Sequence, residues 1–263
     1  MTSEGIAHQF VDARLSAGVV PNYPGEMPQS LSDAYAIQAQ AIPRMGGTIG
    51  GWKVGRILGD WVARTGGAHH LAGPIFTSTI FELGDDSPAL IFEAGFGAAE
   101  AEFLLRVSAT PEAGKTEFTL EEAAALIDAV HIGFEIASSP FPGINDHGPA
   151  ITISDFGNNN GLLIGPAITD WRASGFEDVE VTTTIDGTVV GTGKASAFVD
   201  GTIGSVRFLF ENLARRGLPI TPGQWVSTGA VTGVHKVTVG QRVEADFGRF
   251  GKIGCTIGAQ QPR

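Results

Sequence analysis

The sequence predicts an α+β, β-rich protein, with a small helical N-terminal part over residues 1–70 and a mixed-β domain over residues 71–263. Three observations point there. Helical spacing of apolar residues is concentrated in the first 42 residues, and short apolar runs take over from Gly51 onward. The 37 glycines among 263 residues are about twice the usual share of about 7%. They run from Gly5 to Gly258 without a fixed period, which suits tight turns between strands and excludes collagen or a solenoid.

Ile6, Phe10, Val11 and Leu15 recur at helical spacing from Ser3 to Ser16, and Leu31, Ala34, Tyr35 and Ile42 do so from Ser30 to Ile42. Pro21, Pro24 and Pro28 make the intervening stretch a loop, and Pro43 with Gly46 and Gly47 ends the helical region. Candidate strands are Gly51–Ile57, Ala89–Phe92, Glu100–Val107, Val130–Ala137, Gly161–Ile164, Val179–Ile185, Thr188–Gly191, Trp225–Thr228 and Gln241–Phe247. Asp186-Gly187 joins two of them as a hairpin, because both central residues of a type I′ turn take positive φ. Two later helices are expected: Thr119–Ala129, opened by a capping box of Thr119 and Glu122, and Ile203–Arg216, closed by Gly217.

A net charge of −11 argues against nucleic acid or an anionic membrane as partner, since phosphate needs a basic footprint. It does not exclude a small anionic substrate held locally. One cysteine, Cys255, excludes an internal disulfide and a cysteine-rich zinc site, and it is expected to be buried and inert. With no long apolar run and no basic leader, a soluble cytoplasmic protein is expected.

Four stretches can carry chemistry. Glu100-Ala101-Glu102-Phe103, read as a strand, turns both carboxylates to one face and Ala101, Phe103 and Leu105 to the other. The pair suits a hard cation such as Mg²⁺ or Mn²⁺, and equally a solvated strand edge. In His131-Ile132-Gly133-Phe134-Glu135-Ile136, Glu135 is framed by bulky apolar residues and is expensive to bury unpaired. His131 reads as a structural histidine. Lys53 in Gly51-Trp52-Lys53-Val54-Gly55 is either a snorkelling surface residue or a desolvated acid/base with a lowered pKa. His69-His70 lies in a glycine-rich stretch, read as a loop. P-loop spacing, a third dinucleotide-loop glycine after Gly95-Phe96-Gly97, and G-x-S-x-G are all missing.

In their order, these pieces resemble the 2-keto-4-pentenoate hydratase / 4-oxalocrotonate decarboxylase branch of the fumarylacetoacetate hydrolase superfamily. The resemblance runs from about Ala34 to Ile257. It rests on Ala34-Tyr35-Ala36-Ile37-Gln38, Gly51-x-Lys53-x-Gly55, Gly73-Pro74-Ile75-Phe76, Glu100-Ala101-Glu102, Gly133-Phe134-Glu135-Ile136-Ala137-Ser138-Ser139, Asp155, Ile164-Gly165 and Thr228-Gly229. Gly240-x-x-Val243-x-Ala245-x-Phe247, with Gly251 and Ile253, closes it. It implies a mixed β-roll core like the fumarylacetoacetase C-terminal domain, with a helical N-terminal extension, in a homo-oligomer. It further implies that Glu100, Glu102 and Glu135 ligate Mg²⁺ or Mn²⁺, that Lys53 lies beside the substrate as acid/base, and that Thr228 and Gly229 meet the substrate carboxylate.

The implied function is a metal-dependent hydratase acting on a 2-hydroxy-2,4-dienoate or related 2-oxo acid through a metal-stabilised enolate. Acylpyruvate-type C–C hydrolysis and 2-oxo acid decarboxylation can use the same site. A non-catalytic partner subunit is the alternative of another class, and the intact Lys53 and glutamate triad speak against it. The chain also departs from the pattern. Related hydratases carry an acid a few residues before the Gly-x-x-Phe match, where this chain has His69-His70-Leu71-Ala72, so His70 is the candidate to replace it. The usual Asp-Asn-Ala-Ser appears as Asp155-Phe156-Gly157-Asn158-Asn159-Asn160, and the His-Pro before the late helix appears as Gly201-Thr202.

Overall fold

The computed structural model describes residues 2–84 and 87–263. Its helices are α1 (Ser3–Leu15), α2 (Leu31–Met45), α3 (Asp60–Arg64), α4 (Leu120–Ala125), α5 (Pro149–Ser154), α6 (Trp171–Ser174) and α7 (Gly201–Arg215). Its strands are β1 (Ile49–Arg56), β2 (His70–Phe76), β3 (Ile80–Glu82), β4 (Ala89–Ile91), β5 (Phe96–Val107), β6 (Ile127–Ser139), β7 (Asn159–Ala167), β8 (Val181–Ile185), β9 (Thr188–Gly193), β10 (Trp225–Ser227), β11 (His235–Lys236), β12 (Arg242–Asp246) and β13 (Lys252–Ala259). One mixed sheet of eight strands runs β2-β1-β10-β5-β6-β7-β3, with β11 also on β5, and a second of five runs β4-β13-β12-β8-β9. The fold is α+β and sheet-rich, as the sequence predicts.

Alternation along β5 and β6 organises the molecule. Ala101, Phe103, Leu105, Ile132, Phe134 and Ile136 turn to one face. There they join α7 (Val206, Leu209, Phe210 and Leu213) and the second sheet (Val181, Val243, Ala245 and Ile257) in the largest core. Towards their far ends the same strands place Phe96, Ala98 and Ala137 in a second core with Phe10 and Val11 of α1 and Ile37 of α2. The even-numbered residues of β5 between these apolar ends face neither core, and Glu100 and Glu102 lie there.

The helical part is fastened by one buried ion pair. Arg14 Nε and Nη2 lie 2.6 and 2.9 Å from the two carboxylate oxygens of Asp155. Its Nη2 also donates to the Ser138 carbonyl and its Nη1 to the Asn159 carbonyl, each at 3.0 Å. Removing one partner of such a pair strands the other charge in the interior. Arg14→Met is therefore expected to cost about 3–5 kcal/mol of stability, measured by urea unfolding at neutral pH. A loss below about 1 kcal/mol, the range of exposed pairs, would contradict this.

Several boundaries differ from the sequence reading. Pro43 does not end α2 but sits inside its last turn, and the chain leaves the helix at Gly46. A proline there forfeits a single i→i−4 hydrogen bond, which a packed helix tolerates. The capping box at Thr119 is present, but α4 stops at Ala125 because Ile127 pairs with Val107 and draws the following residues into β6. The stretch around His69-His70 is not all loop, since His70 opens β2. Asp186 and Gly187 take φ of 49° and 78°, the turn expected between β8 and β9. Cys255 is buried on β13, which pushes its thiol up to about 12. No helix among the described residues is long and apolar enough to cross a membrane.

Candidate active site

Register brings the charged residues together. Glu100 lies directly opposite Glu135 across the β5–β6 ladder, and Glu102 opposite Gly133. Directly opposed residues share a face, so all three glutamates point the same way. Each has a carboxylate oxygen within 4.8 Å of one from each of the others. Lys53 pairs with Ser227 of β10, two strands along, and its Nζ lies 2.8 Å from Glu135 Oε2 and 3.9 Å from Glu100 Oε2. All four residues are at most 4% exposed, so water does little to screen them.

Glu135 Oε1 accepts from Asn159 Nδ2 at 2.9 Å. Glu102 Oε2 accepts from the Ser227 hydroxyl and, at 3.0 Å, from the Gly229 backbone N–H. Glu102 Oε1 is buried with no hydrogen-bond partner among the described residues. Three carboxylates facing one lysine leave buried negative charge uncompensated, which is costly. The effect appears in the acidities. Burial, against the pull of Lys53, raises Glu100 to about 7. Burial, then Glu135 and Glu100, hold Glu102 well above the carboxylate range. An orphaned oxygen, an all-oxygen donor set and excess negative charge fit a hard divalent cation.

Lys53 differs from the sequence expectation of a lowered pKa. Burial does pull it down, but Glu100, Glu135 and Glu102 outweigh burial, and the ammonium is stabilised above its ordinary value. Its surroundings are rigid. A Cβ at Gly73, paired with Lys53 across β1 and β2, would lie 2.0 Å from the Phe156 carbonyl oxygen, so only glycine lets this segment close over the strand.

The group opens into a cavity of about 430 Å³ lined by Lys53, Arg56, Glu100, Asn158 and Lys236, with Leu58, Trp61, Leu71 and Val234 on its walls. The other candidates lie elsewhere. The Thr228 hydroxyl donates to the Phe103 carbonyl at 2.8 Å, which commits its proton to the backbone. Gly229 reaches the site through its N–H on Glu102. His131 is held by the Gly165 carbonyl at 2.8 Å and packs edge-on against Trp225, a structural arrangement.

His70 is not brought to the cavity. Alternation turns His70, like its partner Arg56, away from the face of Lys53, and its ring packs against Phe208 of α7 with centroids 5.2 Å apart and planes tilted by 32°. The longer Arg56 side chain still reaches the cavity, and the imidazole does not. Burial, then His69, Arg56 and Arg207, hold it near 4 against the opposing pull of Asp200. An unfolded histidine takes its proton near 6.5, so stability is complete above that pH and falls as pH drops towards 4. The loss attributable to His70 should approach roughly 3 kcal/mol. Urea unfolding of wild type and His70→Gln at pH 7 and 4.5 measures it as the steeper fall of the wild type. Parallel falls would show that His70 does not titrate this way.

Sequence reasoning did not single out Arg56, Ser227 or Asn158. Only the unusual run Asn158-Asn159-Asn160 offered a signal.

No family model and no curated protein matches the chain by sequence. Solved structures do match. A 4-oxalocrotonate decarboxylase from Pseudomonas putida G7, complexed with magnesium and adipate, superposes with a TM-score of 0.80 at 20% identity, covering 97% of each chain. A fumarylpyruvate hydrolase from Pseudomonas aeruginosa, with Mn²⁺ and pyruvate, gives 0.59 at 14% identity over 79% of this chain and 88% of that one. A 5-carboxymethyl-2-hydroxymuconate delta-isomerase from Mycobacterium smegmatis gives 0.56 at 16% identity over 81% of each. The chain thus shares the fold of these enzymes, the fold that the sequence resemblance implied.

Proposed function

We propose that the chain is a divalent-metal-dependent lyase that hydrates a 2-hydroxy-2,4-dienoate or a close 2-oxo acid. One observation carries the reading: a lysine and three glutamates, all buried, meet behind a cavity that Lys53 and Glu100 line, with one carboxylate oxygen left unpartnered. Glu100, Glu102 and Glu135 would hold Mg²⁺ or Mn²⁺, the metals named with the decarboxylase and hydrolase of the same fold. A bound divalent cation supplies Lewis-acid stabilisation of negative charge at the C2 oxygen of the acid.

The chain's own residues do the rest. Lys53, which lines the cavity beside the glutamates, would move the proton at the dienol carbon. Arg56 lines the same cavity and offers its cation to the substrate carboxylate, a part for which the Thr228 hydroxyl is already committed. Asn159, Ser227 and the Gly229 N–H fix the orientation of the glutamates, as outer partners do around metal ligands.

A second reading, decarboxylation of an unsaturated 2-oxo acid, is favoured by the close superposition on the decarboxylase. It is favoured too by the placement of His70 away from the cavity. One assay separates the two. Purified protein with Mg²⁺ and 2-hydroxypenta-2,4-dienoate should bleach the dienol absorbance without releasing CO₂. Release of CO₂ from 4-oxalocrotonate in place of that reaction would establish the second reading, and inactivity on both would contradict the first and the second alike.

A further inference from the structure

Among the described residues, Asn158 is the one buried cavity-lining residue whose polar atom lacks a partner and which the proposed chemistry leaves unused. It is 2% exposed, and its Oδ1 has no hydrogen-bond partner among the described residues. A buried carbonyl oxygen left unpaired is expensive and is rare in a folded chain. The backbone is also costly here. Phe156, Gly157 and Asn158 have φ of 56°, 66° and 68°, and two of the three are not glycine. Asparagine is among the few residues that tolerate this region.

The segment is held in place from both sides. Gly73 admits the Phe156 carbonyl, and a Cβ at Gly157 would stand 3.3 Å from Lys53 Cδ. The segment that carries Asn158 is therefore held beside the lysine, and both residues line the cavity.

We propose that Asn158 is a substrate-contacting specificity residue, whose amide oxygen accepts a hydrogen bond from an O–H in the cavity. That O–H belongs to the water to be added and, after addition, to the hydroxyl of the product. This rests on the hydratase reading above and supplies an oriented acceptor in the cavity, with His70 turned away. A neutral amide oxygen is too weak a base to take a proton, so Asn158 orients the O–H and leaves proton movement to Lys53.

Two probes that differ by this hydroxyl test the idea: 2-oxopentanoate and 4-hydroxy-2-oxopentanoate, titrated calorimetrically into the Mg²⁺-loaded protein. Wild type should bind the hydroxylated probe about tenfold more tightly, the worth of one hydrogen bond to an otherwise unpaired buried group. Asn158→Gly relieves the backbone strain while deleting the amide. It should bring the two affinities within about twofold of each other. Asn158→Asp keeps an acceptor and a residue that tolerates the conformation, and it should retain the preference even if both probes bind more weakly. A wild type without preference, or a folded Asn158→Gly variant that keeps it, would overturn the assignment while leaving the hydratase reading standing. Failure of both probes to bind the wild type would overturn that reading and Asn158's part with it.

Discussion

Glu102→Gln is expected to weaken Mn²⁺ binding by more than about 100-fold, since disturbing only the outer partners of metal ligands already costs 10–100-fold. Glutamine is preferred to alanine because its amide oxygen can still accept from the Ser227 hydroxyl and the Gly229 N–H, the two donors on Glu102 Oε2. The same change should raise the stability of the metal-free protein, because it removes one of three buried carboxylates that face a single lysine. Thermal unfolding should then show a higher Tm without metal and little further rise on adding Mg²⁺. Wild type should show a lower starting point and a concentration-dependent rise. Equal Mn²⁺ affinity for wild type and variant would remove Glu102 from the ligand set.

Lys53→Met should lower turnover by about 10²–10⁴, the usual contribution of a positioned proton donor, while leaving metal binding nearly intact. It also deletes the cation 2.8 Å from Glu135. Loss of one partner of a buried pair is expected to cost the metal-free protein about 3–5 kcal/mol, and divalent metal should restore most of it by supplying positive charge to the same carboxylates. The combination of a low metal-free Tm, a large metal-dependent rise and a dead enzyme distinguishes a chemical role from a structural one. A variant that retains more than about half the wild-type rate falls far short of the expected loss and would take Lys53 out of the mechanism.

The parts legible in the sequence are those fixed by local spacing. Glu100 and Glu102 two residues apart, with Ala101, Phe103 and Leu105 between and beyond, give the two faces of β5 without reference to any other strand. The resemblance, and not spacing, linked Glu135 and Lys53 to them. Their meeting depends on pairing between β5 and β6 and between β1 and β10, and register across strands distant in sequence is not written in either strand alone. The sequence reading names no strand over β2, where Gly73 and Pro74 disfavour one. Both are tolerated because β2 is the edge of its sheet, where a missing N–H costs no ladder bond, and because Gly73 receives the Phe156 carbonyl. That hidden strand also explains the turn of His70 away from the cavity. The end of α4 was misplaced for the opposite reason: its alanine-rich sequence favours helix, but pairing with β5 claims the chain from Ile127 onward. Asn158 shows in the sequence only as part of the run that replaces the usual Asp-Asn-Ala-Ser, since an unpaired oxygen leaves no trace there.

The most direct test of the central claim is an anomalous difference map at the manganese edge from crystals grown with Mn²⁺. A single strong peak at bonding distance from Glu100, Glu102 and Glu135, with Lys53 beside it, is the predicted result. A protein that binds Mn²⁺ in solution but shows the peak elsewhere, with Lys53 still paired to Glu135, would contradict it.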